Sequence, residues 1–177
     1  RIVHLTSEIT PFAKTGGLGD VCAALPRHLA DRDVEQRVFM PFYGSIDRRA
    51  SHFAPVSFLQ DLKVRTGPHE YVCGVYTTPL PGSSLWIYLI DCPVLYQRGT
   101  VYTDDVDEHL RFAVLTQAAL ASCQRMGFAP DVVHCHDWQT SLAPLYLRTR
   151  FAWDRLFAST KTLLTIHNIA FQGWFGA

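Results

Sequence analysis

A chain of 177 residues suits one domain or one and a fraction, with enough length to bury a substantial core. Apolar content of 48% and charged content of 18% are ordinary for a globular protein, and sixteen acids against sixteen lysines and arginines give no global attraction to nucleic acid or acidic membranes. No run approaches a membrane span, no charged-then-apolar leader opens the chain, and five scattered cysteines without a Cys-x-x-Cys pair read as buried, reduced thiols of a cytosolic protein.

Ile2–Leu5 is a short apolar run that reads as the first strand of an α/β sheet. A loop from Ser7 to Thr15 follows, then Lys14-Thr-Gly-Gly-Leu-Gly-Asp20. Leu18, Val21, Cys22, Leu25 and Leu29 recur at helical spacing, so the glycines stand where a loop becomes a helix running to about Ala30. Such a junction offers unpaired N–H groups and the positive end of a helix dipole to an anion. Lys14 is one of only three lysines, against thirteen arginines. An anion site and a tight loop with a solvated lysine both fit this stretch. A Walker loop is excluded because the lysine precedes the glycines. A dinucleotide fingerprint is excluded too: Cys22 stands where its third small residue belongs, and Pro41 where its acid belongs. Pro26 is expected to kink or break the helix.

Gln36–Met40, ended by Pro41, reads as the second strand. Between about residues 53 and 84 the pattern turns β-rich, with Val56–Leu59, Leu62–Val64 and Tyr71–Thr77 as segments that supply one or two hairpin strands and turns at Gly67-Pro68 and Pro79 to Ser84. Leu85–Ile90 then returns to the central sheet. Val106–Met126 is a long helix, apolar on more than one side and closed by Gly127. Val132–Cys135 is a strand, the next helix starts near Thr140 so that Pro144 lies in its first turn, and Thr162–Ile166 is the last strand. The alternation predicts a Rossmann-like, mostly parallel sheet with helices on both faces. The chain stops soon after a strand and reads as part of a longer protein.

Ligands of open α/β sheets bind beyond the carboxyl ends of the strands. Three polar clusters fall there: Ser7-Glu8 with the Lys14–Asp20 loop, His134-Cys135-His136-Asp137-Trp138, and His167-Asn168. His134 and His136 share a strand face, but no third or fourth ligand stands at zinc-site spacing, so they read as core or pocket-wall histidines and no metal is expected. Asp137 is either an N-cap or a carboxylate for sugar hydroxyls, with Trp138 as an apolar wall.

Ser7 to Val21, followed by Ala24-Leu25-Pro26, resembles the N-terminal signature of bacterial glycogen synthases and plant starch synthases. Pro41-Phe42-Tyr43, Leu95-Tyr96 with Arg98, Arg111-Phe112-Ala113, His136 to Thr140 and Thr165 to Gly173 resemble later family motifs, in family order and across nearly the whole chain. One departure is Gly99, where the family pattern has proline after the arginine. The resemblance implies the N-terminal, acceptor-side half of a GT-B fold, with residues 1–177 as that domain and the nucleotide-binding domain outside this chain. It implies a retaining glucosyltransferase that moves glucose from ADP-glucose, or less often UDP-glucose, to an α-1,4-glucan acceptor without a metal or other cofactor. Its compartment would be bacterial cytoplasm, or plastid in a plant, with no nucleic-acid or membrane partner. Carried over, Lys14, Gly16 and Gly17 would face the donor diphosphate and sugar. His167 would contact the transferred glucose with Asn168 beside it, Asp137 would hold hydroxyls, and Glu8, Asp20 and Tyr96 would line the same cleft. Asp20 would repel a phosphate, which assigns it a sugar or lysine partner. A phosphorylase-like enzyme shares the fold without the Lys-Thr-Gly-Gly-Leu signature. A stand-alone glucan-binding or regulatory module is the non-enzymatic alternative.

Overall fold

A computed structural model describes residues 1–49 and 52–175. Strands β1 (Ile2–Leu5), β2 (Gln36–Pro41), β3 (Ala54–Pro55), β4 (Leu62–Thr66), β5 (His69–Pro79), β6 (Trp86–Asp91), β7 (Val132–His136) and β8 (Lys161–Thr165) form one sheet. Its order is β3-β5-β6-β2-β1-β7-β8, with β4 on β5. The run β6-β2-β1-β7-β8 is parallel throughout, whereas β5 pairs antiparallel with β3, β4 and β6. From β1 the chain crosses first to β2 on one side and later to β7 on the other. The carboxyl ends of β1 and β7 therefore flank a topological switch point, where such sheets open a crevice.

The helices are α1 (Leu18–Ala30), α2 (Pro93–Tyr96), α3 (Glu108–Met126) and α4 (Ala143–Arg148). α3 is almost wholly buried, from Glu108 to Cys123, and packs against β4, β6 and β2. Gly127 ends it in the left-handed region at φ 62°, and the Phe128 N–H reaches back to the Cys123 carbonyl, a turn that favours glycine. In α4, Pro144 stands in the first turn, where a missing N–H costs nothing.

Three sequence expectations need correction. α1 runs unbroken through Pro26, which is buried with Leu18, Cys22 and Ala23 on the packed face, so tertiary contact offsets one lost N–H bond. Gln36 also ties the C-terminal part of this helix to β2 by donating from Nε2 to the Pro26 carbonyl. Val56–Leu59 is not a strand: Ser57–Leu59 forms a 3₁₀ turn, and only Ala54–Pro55 pairs with β5. The β4–β5 hairpin is longer than its apolar runs indicate, closing on the two residues Gly67-Pro68 with Gly67 at φ 58°. All five cysteines are buried and free.

Candidate active site

The ends of β1, β7 and β8 open into a cleft of about 920 Å3. Glu8, Gly16, Gly17, Asp137, His167 and Asn168 all line it, joined by Tyr102, Glu108, Trp138, Gln139 and the Phe171–Phe175 stretch. Three separated sequence clusters thus meet at one place because parallel strands put their carboxyl ends on one edge.

Glu8 organises the glycine loop. Its buried carboxylate accepts the Thr15 N–H at 2.6 Å and the Thr15 hydroxyl at 2.7 Å, with the Gly16 N–H at 3.4 Å. The Tyr102 hydroxyl donates to the same carboxylate at 2.6 Å, while the Ser7 hydroxyl donates to the Tyr102 oxygen. Burial and then the adjacent Glu8 push the Tyr102 phenol up, so it stays a donor. The first loop N–H groups are therefore already occupied, and an incoming anion would meet those that open α1. Gly16 and Gly17 have empty space where a Cβ would stand, whereas a Cβ on Gly19 would lie 3.1 Å from the Ala13 carbonyl. Gly19 serves packing. Gly16 and Gly17 leave room for a close ligand.

Lys14 and Asp20 stand beside the cleft and do not line it. Lys14 Nζ donates to both Asp20 oxygens at 2.9 and 2.7 Å, and the Thr10 hydroxyl adds a third bond. The Lys14 hydrogen bond, then that of Thr10, holds the Asp20 carboxyl below the usual range. Asp20 thus takes its lysine partner. Both side chains are about half exposed, and such pairs contribute little, so Lys14 is free to exchange partners.

Tyr96 is not in the cleft. It ends α2 fully buried, packs on Tyr43, and donates its hydroxyl to the Arg111 carbonyl at 2.8 Å. Burial pushes its phenol far up. The motif around it is structural here: Arg98 grips Asp107 and Asp105, and Arg111 is buried against Glu108.

Asp137 stands at the N-cap position of a 3₁₀ turn over Trp138–Thr140, but its side chain makes no capping bond. Its backbone sits at φ 59°, ψ −173°, a conformation almost confined to glycine and costing about 1–3 kcal/mol. Three bonds hold it there: its N–H donates to the Thr165 carbonyl at 2.9 Å, and its Oδ1 accepts the N–H groups of His167 at 2.7 Å and Asn168 at 3.4 Å. The carboxylate fixes the loop after β8 while lining the cleft. Trp138 beside it forms an apolar wall, edge-on to Phe112 and Phe175.

The histidines correct the sequence reading, which found only two on one face. His4 is the third. Parallel register places it directly beside His134, and His4, His134 and His136 offer ring nitrogens within 4.8 Å of one another. The signal was present as a histidine in the middle of β1, but only strand pairing says which strand it faces. Their rings stack: His134 and His136 have centroids 4.1 Å apart at 32°, and His4 and His136 5.9 Å apart at 25°. His4 Nε2 is engaged by Gln36 and His134 Nε2 by Thr165. His136 Nδ1 is engaged by His167, so one nitrogen of each ring is taken, while His4 Nδ1 and His136 Nε2 have no partner among the described residues. Burial first, then neighbouring histidines, brings the pKa of His4 down to about 4 and that of His136 to about 2, so both stay neutral. Cys135 points away from them, its thiol pushed up to about 12 by burial.

Comparison with known proteins places this geometry. A family model for the starch synthase catalytic domain matches residues 1–177. The glycogen synthase of Aeromonas salmonicida is 39% identical over 99% of this chain and 36% of its own length, and that of Treponema denticola is 39% identical over 98% and 35%. The catalytic domain of starch synthase IV from Arabidopsis thaliana, solved bound to ADP and acarbose, matches with a TM-score of 0.86 and 28% identity over 97% of this chain and 34% of that one. The chain spans about a third of the length of the curated relatives it matches. Its fold is the Rossmann-like half of a GT-B glycosyltransferase, and the motif order, sheet order and cleft agree: the chain belongs to the starch synthase catalytic domain family.

Proposed function

We propose that this chain is the N-terminal, acceptor-side domain of a retaining glucosyltransferase that extends an α-1,4-glucan from ADP-glucose in the bacterial cytoplasm. The carrying observation is the chemistry of the cleft wall. It holds four carboxylates (Glu8, Asp104, Glu108 and Asp137), five large aromatics (Tyr102, Trp138, Phe171, Trp174 and Phe175) and, among the described residues, no lysine or arginine. Carboxylates that accept hydroxyl protons beside flat apolar rings suit sugars. Glu108 is offset by Arg111, but the other carboxylates would repel a diphosphate unless cations come from elsewhere. Lys14 is the one lysine next to it, and the remaining basic groups belong to a second domain facing this one across the cleft. His167 and Asp137 would then meet the transferred glucose, and Asn168 would lie beside it. Gly16 and Gly17 would admit the donor, with Glu8 shaping the loop. The reading assigns no role to a metal.

The intact protein carrying this chain should release ADP from ADP-glucose and lengthen glycogen chains, with UDP-glucose the poorer donor. Residues 1–177 alone should show no turnover, because the diphosphate would lack its counter-charges. Glycogen binding by the intact protein without transfer from either donor would overturn the enzymatic reading and leave a glucan-binding module.

A further inference from the structure

His136 belongs to no role described above, yet it touches the one histidine that lines the cleft. Its Nδ1 lies 2.9 Å from His167 Nε2, and the two rings are nearly parallel, with centroids 5.2 Å apart at 19°. His136 is almost fully buried at the end of β7, whereas His167 is half-buried at the cleft wall. The bond between the two ring nitrogens needs one proton, so one ring must donate and the other accept. Which ring donates decides what His167 shows to a ligand.

The surroundings settle the choice. Gln36 donates from Nε2 to the Pro26 carbonyl, so its Oε1 faces His4 Nε2 at 3.0 Å and accepts from it. His4 therefore carries its proton on Nε2 and leaves Nδ1 as a bare lone pair, buried and without a partner among the described residues. His136 Nε2 is likewise buried without a partner. A buried N–H with no acceptor is rarer and costlier than an empty lone pair, so the His136 proton belongs on Nδ1. From there it donates to His167 Nε2. His167 must then hold its own proton on Nδ1, the nitrogen left for the cleft.

We propose that His136 is a positioning residue that fixes the tautomer and ring orientation of His167, so that His167 presents an Nδ1–H donor to a sugar oxygen. The inference rests on the glucosyltransferase reading for its ligand, but its structural part stands without it. His167 is held twice: its main chain by Asp137 and its ring by His136. A ring fixed at both ends donates without reorganising, which is what stabilises developing charge in a transition state.

Two readouts test this in the intact protein. The first is the 15N spectrum of histidine in the wild type, where His167 should show a protonated Nδ1 and a bare Nε2; a protonated Nε2 would overturn the proposal whatever the activity. The second is a pair of variants assayed with ADP-glucose and glycogen. His136→Phe keeps the ring shape and removes the donor, and should lower kcat about tenfold to a hundredfold with KM little changed, the cost of one oriented hydrogen bond. His136→Asn puts an amide N–H where Nδ1 stood and should restore most of that loss. Equal losses in both variants, or a loss carried by KM alone, would overturn the positioning role. A wild type that transfers no glucose would sink the functional reading alone, since the tautomer would still be read from the spectrum.

Discussion

The histidine stack makes stability depend on pH below about 6.5. His4 and His136 are neutral in the fold, with pKa values lowered to about 4 and about 2 from an ordinary 6.5. In the unfolded chain each binds a proton near pH 6.5, so below that pH the unfolded state holds more protons and folding loses free energy. Their contribution is therefore complete above 6.5 and is lost as pH falls toward the folded values. Between pH 6.5 and 5 each group costs about 1.6 kcal/mol, the slope approaching about 1.4 kcal/mol per pH unit, so the pair costs about 3 kcal/mol. His134, lowered by burial and then by His167, adds in the same direction. The carboxylates with lowered values, such as Asp107 held down by Arg98, titrate in the unfolded chain near 3.8 and act mainly below this window. Against a total of about 5–15 kcal/mol, the loss is large. Urea titrations of residues 1–177 at pH 7.5, 6.5, 5.75 and 5.0 measure it. The double variant His4→Gln, His136→Asn keeps one amide donor at each site and should flatten the slope. A flat wild-type curve, or an equal slope in the double variant, would refute the reasoning.

Three further outcomes are expected. Lys14→Ala in the intact protein should lower glucosyl transfer about thirtyfold to a thousandfold with little change in thermal stability, while Lys63→Ala, on β4 away from the cleft, should be near neutral; equal losses would return the loop to a purely structural role. Glu8→Gln turns an amide toward the Thr15 and Tyr102 donors and should destabilise residues 1–177 by about 1.5–3 kcal/mol in urea, with Tyr102→Phe costing less. Gly173 sits at φ 67°, and a Cβ there would lie 2.6 Å from the Trp138 ring. Gly173→Ala should thus release the Phe171–Phe175 stretch and speed its cleavage by chymotrypsin, and an unchanged rate would show that the packing on Trp138 is dispensable.

What the sequence made legible was local. β1, α1, the glycine closing α3 and the proline opening α4 each follow from a pattern within one turn or one strand. The cleft followed from one rule, that strand ends gather, applied to Glu8, Asp137 and His167. What stayed hidden depends on pairing and packing. His4 joins His134 only through parallel register. Tyr96 is drawn inward because α2 lasts a single turn and aims it at Tyr43 and Arg111. The Glu8 grip on Thr15 needs the loop to fold back on itself, and nothing in the order of residues 8 to 15 distinguishes that from a carboxylate facing a ligand. For Asp137 the sequence left a cap and a hydroxyl-binding carboxylate both open, and only its positive-φ backbone shows the carboxylate aimed at the next strand's loop.

These placements divide the cleft into a fixed part and a part free to respond. Asp137 joins the end of β7 to the loop after β8, His136 holds the ring of His167, and Glu8 with Tyr102 locks the glycine loop to the end of β1. Each of these bonds reaches from the rigid sheet edge, so the groups that would read a sugar are set before it arrives, and the strain at Asp137 is held by the bonds that aim it. Lys14, by contrast, rests on an exposed carboxylate, and Phe171 and Trp174 are largely exposed. A cation that moves cheaply is useful where charge appears only during reaction, while hydroxyl recognition needs geometry fixed in advance. On the proposed reading, the acidic, cation-poor wall would follow the same logic: it would select the neutral sugar and leave a charged leaving group to Lys14 and to a facing surface. Under that proposal, closing such a surface over the wall would bring together the two halves of one electrostatic problem, and this chain alone would be expected to bind sugar without transferring it.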